Sequence, residues 1–202
     1  GAALLPYARR VLQTVEDGRR ALSHLSGAVT GRLSIGTSHH IGLHRLPPVL
    51  KRFVADYPDV DLDLHFMDSE DACEAVVAGK LELGIVTLPL LAVPQLDSAT
   101  IWPDPLQVVV SPMHPLAQRH RHAAEPRVRL ATNYLETLKM LAAIGMGWSV
   151  LPVSMIDDSV RALNVSGFKP HRNLGWVRHR GRAVSSSSHA LLHCLDSVGA
   201  QS

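Results

Sequence analysis

Leu4, Ala8, Val11, Val15, Leu22 and Leu25 recur at alternating steps of four and three once Gly18 is counted among them, the seam of a short heptad. So narrow a stripe has nothing in its own segment to bury it, which implies a partner helix; a domain helix packing on a core is the other reading. The stretch 27–31, with two glycines and a threonine, ends this segment. From Arg32 the period changes. Leu33, Ile35, Gly36 and Thr37 predict a short strand, and Ser38 stands where it can cap a helix over about 41–57, delayed or kinked by Pro47 and Pro48. Val60, Leu62, Leu64 and Phe66 then alternate with Asp61, Asp63 and His65, a strand with one wet face. Ser69 precedes a helix carrying Ala72, Cys73, Val76 and Val77 that stops at Gly79, and Leu81, Leu83, Ile85 and Val86 make a third strand. Strand, helix, strand, helix, strand with short connections reads as a parallel α/β sheet.

Past Pro89 and Pro94, two β-like stretches are expected at 98–102 and 106–110, and the run of valines at 108–110 suits a fully buried strand. Beyond Leu116 the chain turns basic through Arg119, His120, Arg121 and His122. Val128 and Leu130 predict a strand that feeds Thr132 and Asn133 into a helix over about 134–144, ended by Gly145 and Gly147. Trp148, Val150 and Leu151 form a strand stopped by Pro152; a last strand near Trp176 and Val177 and a helix over about 190–198 complete the pattern.

Composition removes whole classes of function. Apolar residues are 46% of 202, but in short bursts, far from the ~20 uninterrupted positions that a bilayer span needs. Pro6, Arg9 and Arg10 break the first apolar run too early for a signal peptide, so a cytoplasmic location and no membrane are expected. A net charge of +2, from 20 Lys+Arg against 18 Asp+Glu, does not make a nucleic-acid-binding surface, so any DNA contact belongs to a part outside this chain. Cys73 and Cys194 are too few for a disulfide framework and read as reduced, buried fillers.

Enzyme motifs are missing. There is no G-x-S-x-G elbow, no P-loop and no dinucleotide fingerprint, since Gly145-Met146-Gly147 follows a helix where a cofactor loop precedes one. No enzyme activity and no cofactor are expected. Among the 12 histidines, His40 and His44 stand four apart with His39 adjacent, and one helical face could present two imidazoles to Zn²⁺. No cysteine or carboxylate accompanies them at ligand spacing, so polar histidines beside a cleft, without a metal, are the expectation. His120 and His122 read as a solvated basic loop. The informative feature is geometric: ligands of an open parallel sheet collect outside the carboxyl ends of its strands, where helix N-termini offer free N–H groups. Those ends here carry Ser38, His39 and His40, Ser69 after Asp68, Thr87, and Thr132 with Asn133. Each alone can be a helix cap; their convergence at one edge favours a small polar or anionic ligand.

The runs GRLSIGTS at 31–38, LPPVL at 46–50, Phe53, Tyr57-Pro58 and VDLDL at 60–64 carry a family resemblance. So do GKLELGIV at 79–86, SPMHPLA at 111–117, TNYLETLK at 132–139 and GMGWSVLP at 145–152. In this order they resemble the effector-binding domain of LysR-type transcriptional regulators of bacteria, and the heptad helix looks like the end of that family's dimerising linker helix. The resemblance implies an α/β, two-lobed, periplasmic-binding-protein-like fold with parallel-rich sheets. Residues 1–30 would be linker, 31–111 with 167–202 the first lobe and 112–166 the second. A small-molecule effector in the cleft between lobes would alter a homodimer or homotetramer, and through it promoter binding by a winged helix-turn-helix not present in this chain. Positions matching the effector contacts are Ser38, His39, Ser69, Thr87, Thr132 and Asn133, and His39 and His40 at a helix start favour a small organic anion. A stand-alone solute-binding protein shares the fold; the heptad helix and lack of a signal peptide count against it. One departure stands out near 118–127, where about one strand-and-helix unit, on the order of 30 residues, is missing relative to the family.

Overall fold

The computed structural model describes residues 4–8, 10–12, 14, 15, 18, 28–89, 91–118 and 134–199. His120, His122, Val128, Leu130, Thr132 and Asn133 lie outside these residues, as do Leu22 and Leu25 of the heptad. Residues 5–8, 10–12, 14, 15 and 18 are helical. The seam residues Leu4, Val11 and Val15 expose 71%, 62% and 49% of their surface, so nothing among the described residues covers that stripe.

The chain divides into two compact units, 1–102 with 174–202, and 103–173. In the first, β1 (Gly31–Thr37) lies between β2 (Val60–Phe66) and β3 (Leu83–Thr87), all parallel. Next to β3 runs β7 (His171–His179), antiparallel, and beyond it β4 (Leu96–Val110). The sheet is buried on both faces. On one side α1 (His39–His44), α2 (Leu46–Asp56) and α5 (Ser186–Gly199) bring Ile41, Val49, Phe53, Leu191 and Leu195 onto Leu33, Ile35, Leu83 and Ile85. On the other, α3 (Ser69–Val77) lays Ala72 and Val76 with Leu81, Val86 and Val177. Four consecutive buried residues in β3, from Leu83 to Val86, are the result of that double cover.

The single helix expected over 41–57 is two. Ser38 caps α1 at once, its Oγ accepting from the Ile41 N–H at 3.5 Å, so helix begins at His39. It stops at His44 because Pro47 and Pro48 have no N–H to continue the ladder; both are tolerated in the first turn of α2, where such donors go unused. Ser69 is the first residue of α3, and Asp68 takes the capping position. Gly42 in α1 lies against Phe66, whose half-exposed ring would have to shift to admit a Cβ there. At the other end, α5 begins at Ser186, earlier than the apolar pattern suggests, because the Ser185 hydroxyl accepts from the Ser188 N–H at 3.1 Å and starts the helix within the serine run.

The two stretches expected at 98–102 and 106–110 are one strand of 15 residues, β4, which continues extended through Pro103 and Pro105. The division between units falls inside it, where the sequence placed the lobe boundary after it at 111. In the second unit, β4 pairs antiparallel on one side with β5 (Trp148–Pro152) and on the other with β6 (Arg161–Leu163), so the valine run is internal as its composition suggests. The three-residue β6 was not legible as a strand. α4 (Leu135–Ala143) closes a small core of Val109, Ala142, Leu151 and Val160. Buried Asp104 accepts from Arg172 Nε at 2.7 Å. The architecture is thus mixed α/β, with its parallel pairs in the first unit and antiparallel pairs in both.

Candidate functional site

The carboxyl ends of β1 and β2 are level, and β3 runs two residues further, to Thr87. Thr37 pairs with Phe66 on one side and Ile85 on the other, and its buried hydroxyl donates to the Ile85 carbonyl at 2.8 Å. The Met67 N–H donates to the Thr37 carbonyl at 3.0 Å, which sets the turn leaving β2 against the end of β1. Ser38, His39 and His40 follow directly from β1, and Ser69 follows β2. Ser69 does not cap its own helix; its Oγ accepts from the Thr87 N–H at 3.0 Å and ties the β2–α3 turn to the end of β3. Register and hydrogen bonding therefore bring Ser38, His39, His40, Ser69 and Thr87 to one edge of the first unit. Thr132 and Asn133 lie outside the described residues.

The two adjacent histidines differ in environment. His39 is exposed, its ring 5.2 Å from that of Phe66, whereas His40 is 4% exposed with its ring 5.0 Å from His44. Hydroxyls that accept through one lone pair retain an O–H to donate, so Ser38 and Ser69 keep the chemistry needed to bind a carboxylate or similar oxyanion. Neither cysteine lies at this edge as a reactive group: Cys194 is buried and Cys73 half-buried, both thiols are free, and burial pushes both above their ordinary value.

A second polar cluster escaped the sequence reading. Arg180 Nε donates to Asp97 at 2.8 Å and Arg178 Nη2 donates to the same carboxylate at 3.3 Å, while Arg178 lies over the Trp176 ring. Trp176 and Arg178 share one face of β7 at two-residue spacing, and Arg180 follows the end of the strand. Its partner Asp97 is about 80 residues away, a pairing that only the β4–β7 neighbourhood reveals.

No helix among the described residues is long and apolar enough to cross a membrane. The family model described as the LysR substrate binding domain matches residues 26–123 and 118–200. An uncharacterized HTH-type transcriptional regulator of Azotobacter vinelandii is 67% identical over 48 residues, 24% of this chain and 33% of that protein. A probable RuBisCO transcriptional regulator of Cyanidium caldarium is 23% identical over an alignment of 233 residues that takes in 96% of this chain and 74% of that protein. The alignment is longer than the chain, so that relative has positions with no counterpart here. The chain spans less than half the length of the first curated relatives that it matches, 33% and 40% for the first two. Among solved structures, the regulatory domain of CcmR from Synechocystis PCC6803, in complex with 2-PG, superposes with a TM-score of 0.72 at 22% identity, covering 84% of this chain and 98% of that one. The effector-binding domain of QuiR, in complex with shikimate, gives a TM-score of 0.74 at 16% identity over 85% and 98%. These relatives and neighbours are transcriptional regulators or their effector-binding domains, which supports a regulator's domain and not a stand-alone solute-binding protein. Two runs of the family model that together take in residues 26–200, on a fold shared with regulatory domains of that kind, make this chain a member of the LysR substrate binding domain family.

Proposed function

We propose that the chain is the effector-sensing domain of a LysR-type DNA-binding transcriptional regulator and that it takes a small organic anion at the carboxyl edge of β1, β2 and β3. The observation that carries this reading is the gathering of Ser38, His39, His40, Ser69 and Thr87 at the carboxyl ends of the three parallel strands, with the Ser69–Thr87 bond tying two of those ends together. Donor hydroxyls, imidazoles and the start of a helix together suit negative charge. The organic acid shikimate, bound by a protein of the same fold, supports the class of ligand. The uncovered seam of Leu4, Val11 and Val15 supports assembly into a homodimer or homotetramer through paired helices. Effector binding then acts by favouring one subunit arrangement over another, and DNA is contacted by a winged helix-turn-helix outside this chain. Such a protein works in the cytoplasm, turns over no substrate and needs no cofactor.

Isothermal titration with a panel of carboxylic acids, shikimate included, tests the reading. At least one acid should bind saturably, and His39→Ala should weaken it several-fold. If every acid that binds the parent binds His39→Ala as tightly, the edge is not the effector site.

A further inference from the structure

The end of the sheet opposite the ligand edge is where the chain enters β1, and it is fastened by the serine run at 185–188. Residues 28–30 lead from the N-terminal segment into β1, with Val29 packed on the core of the first unit. Ser186 Oγ donates to the Ala28 carbonyl at 3.2 Å, and Ser187 Oγ donates to the Thr30 carbonyl at 2.9 Å. Glu82 holds the run itself: its carboxylate accepts from the Ser185 N–H at 2.8 Å and from the Ser188 hydroxyl at 2.5 Å.

The loop before the run grips α3. Arg182 donates from Nη1 to the Val76 carbonyl and from Nη2 to the Val77 carbonyl, both at 3.2 Å, at the helix end where carbonyls run out of partners in the ladder. A guanidinium suits that place, because the helix dipole puts negative charge there. The start of α3 is at the ligand edge, where Ser69 Oγ accepts from the Thr87 N–H at 3.0 Å. A helix of nine residues thus runs from the ligand edge to the loop that holds 28–30, tied at each end by a side chain. The bonds to Ala28 and Thr30 are of a kind that opens readily. A serine hydroxyl pivots about its own bond, and both acceptor residues are exposed, so water takes the place of the serines when they part.

We propose, resting on the reading of that edge as the effector site, that residues 180–188 form a latch through which the edge controls the segment 28–30. An anion bound at Ser38, His39 and Ser69 steadies the start of α3; Arg182 carries that restraint to the serine run, and the latch stays closed on Ala28 and Thr30. With the edge empty, or with Ser69 cut from Thr87, α3 moves more at both ends and the latch opens more often. Opening loosens the joint between the sensing unit and the N-terminal helix, whose seam of Leu4, Val11 and Val15 is uncovered among the described residues.

Amide hydrogen exchange of the whole chain, followed by mass spectrometry, reads the latch at residues 29–33, which include Gly31, whose N–H donates to the Asp59 carbonyl at 3.4 Å. Ser186→Ala with Ser187→Ala should speed exchange there by about tenfold while β3 keeps the parent's rate. Ser197→Ala, which removes a hydroxyl from the other end of α5, should leave 29–33 unchanged. Ser69→Ala should speed 29–33 by about threefold in the parent and add nothing in Arg182→Met. Shikimate at saturation should slow 29–33 by about threefold in the parent and not in Arg182→Met. If the paired serine variant does not fold, Ser186→Ala alone, at a half-exposed position, should give about threefold. If Arg182→Met does not fold, Arg182→Lys takes its place, since an ammonium lacks the fork that meets two carbonyls. If shikimate and every other acid of the panel fail to bind, the reading of the edge falls, and the Ser69→Ala comparison still decides the latch. The latch is overturned if the serine variants leave 29–33 at the parent's rate, if Ser69→Ala acts equally with and without Arg182, or if bound shikimate leaves 29–33 unchanged.

Discussion

The two units use the same kinds of element and bury them very differently. The first has a sheet covered on both faces, with Leu33, Ile35, Ile41, Val49, Phe53, Leu83, Ile85 and Val86 all at 0–1% exposure. The second, among the described residues, has three antiparallel strands and one helix around Val109, Ala142, Leu151 and Val160. Around that small core Met113, Ile144 and Met146 expose 91%, 65% and 59% of their surface. Since the hydrophobic contribution scales with apolar area removed from water, the first unit should hold most of the folding free energy and the second should open first. Position along the sheet teaches the same point. β3 has helices on both faces and buries four residues in succession, while β5 pairs with β4 on one side only and leaves Trp148 at 36%.

The largest effect should follow Phe53→Ala. The ring is fully buried between α2, α5 and the sheet, and its removal should cost about 3–5 kcal/mol, read as a lower urea midpoint by far-UV circular dichroism. Trp148 fluorescence, with Trp102 and Trp176 replaced by Phe, reports the second unit in the same titration. If that transition moves by the same amount, the units unfold as one and the contrast fails.

Arg172→Met comes next. It removes the guanidinium bonded to Asp104, whose side chain is 1% exposed, and a buried carboxylate that loses its cation typically costs about 3 kcal/mol or more. The loss should fall on the Trp148 transition. Arg172→Met with Asp104→Leu should recover most of it, because two packed apolar groups need no pairing. Leu151→Ala should cost less, about 2 kcal/mol, since a thin core can collapse around the deleted atoms. A loss as large as that of Phe53→Ala would show the second unit to be packed as tightly as the first.

These contrasts also explain what the sequence made legible. Alternation in Val60–Phe66 and the small cap residue Ser38 are local signals: the strand formed where the pattern put it, and Ser38 caps a helix, though one that begins at His39 and ends before the prolines. The break at Arg45 was foreshadowed by Pro47 and Pro48, but which side of the prolines would keep its helix depended on Ser38 capping at once. β4 could not be read as one strand, because Pro103 and Pro105 are local stop signals and the partners that keep the chain extended come from residues 148–163. At the site, Ser38 and His39 were visible as residues that end a strand and start a helix. The Ser69–Thr87 bond was not, because it joins two turns 18 residues apart. The arginine cluster was less visible still: Asp97 and Arg180 are read as surface charges until β4 and β7 are neighbours.

The smallest effect should come from acid, and it separates the units by their carboxylates. Lys139 Nζ donates to Asp157 at 2.6 Å, Ser159 adds backbone and side-chain bonds, and together they lower the Asp157 carboxyl from 3.8 to about 2. A carboxyl depressed in the folded state contributes stability that is full above its unfolded value and fades as pH falls through its folded value. In the second unit that window runs from about pH 4 to about pH 2. Asp157→Asn cannot ionise, so it should melt slightly below the parent at pH 7, fall less steeply through the window, and meet the parent near pH 2. The gap should be modest, because Asp157 is 58% exposed and the pair is screened by water and salt. Asp63, lowered first by His65 and then by Arg32, and Asp97, lowered by Arg180, produce their own acid loss in the first unit, so the Trp148 transition is the one to follow. A gap that stays constant down to pH 2 would mean that Asp157 holds α4 by its shape and hydrogen bonds alone, and that charge plays no part in keeping the weaker unit closed.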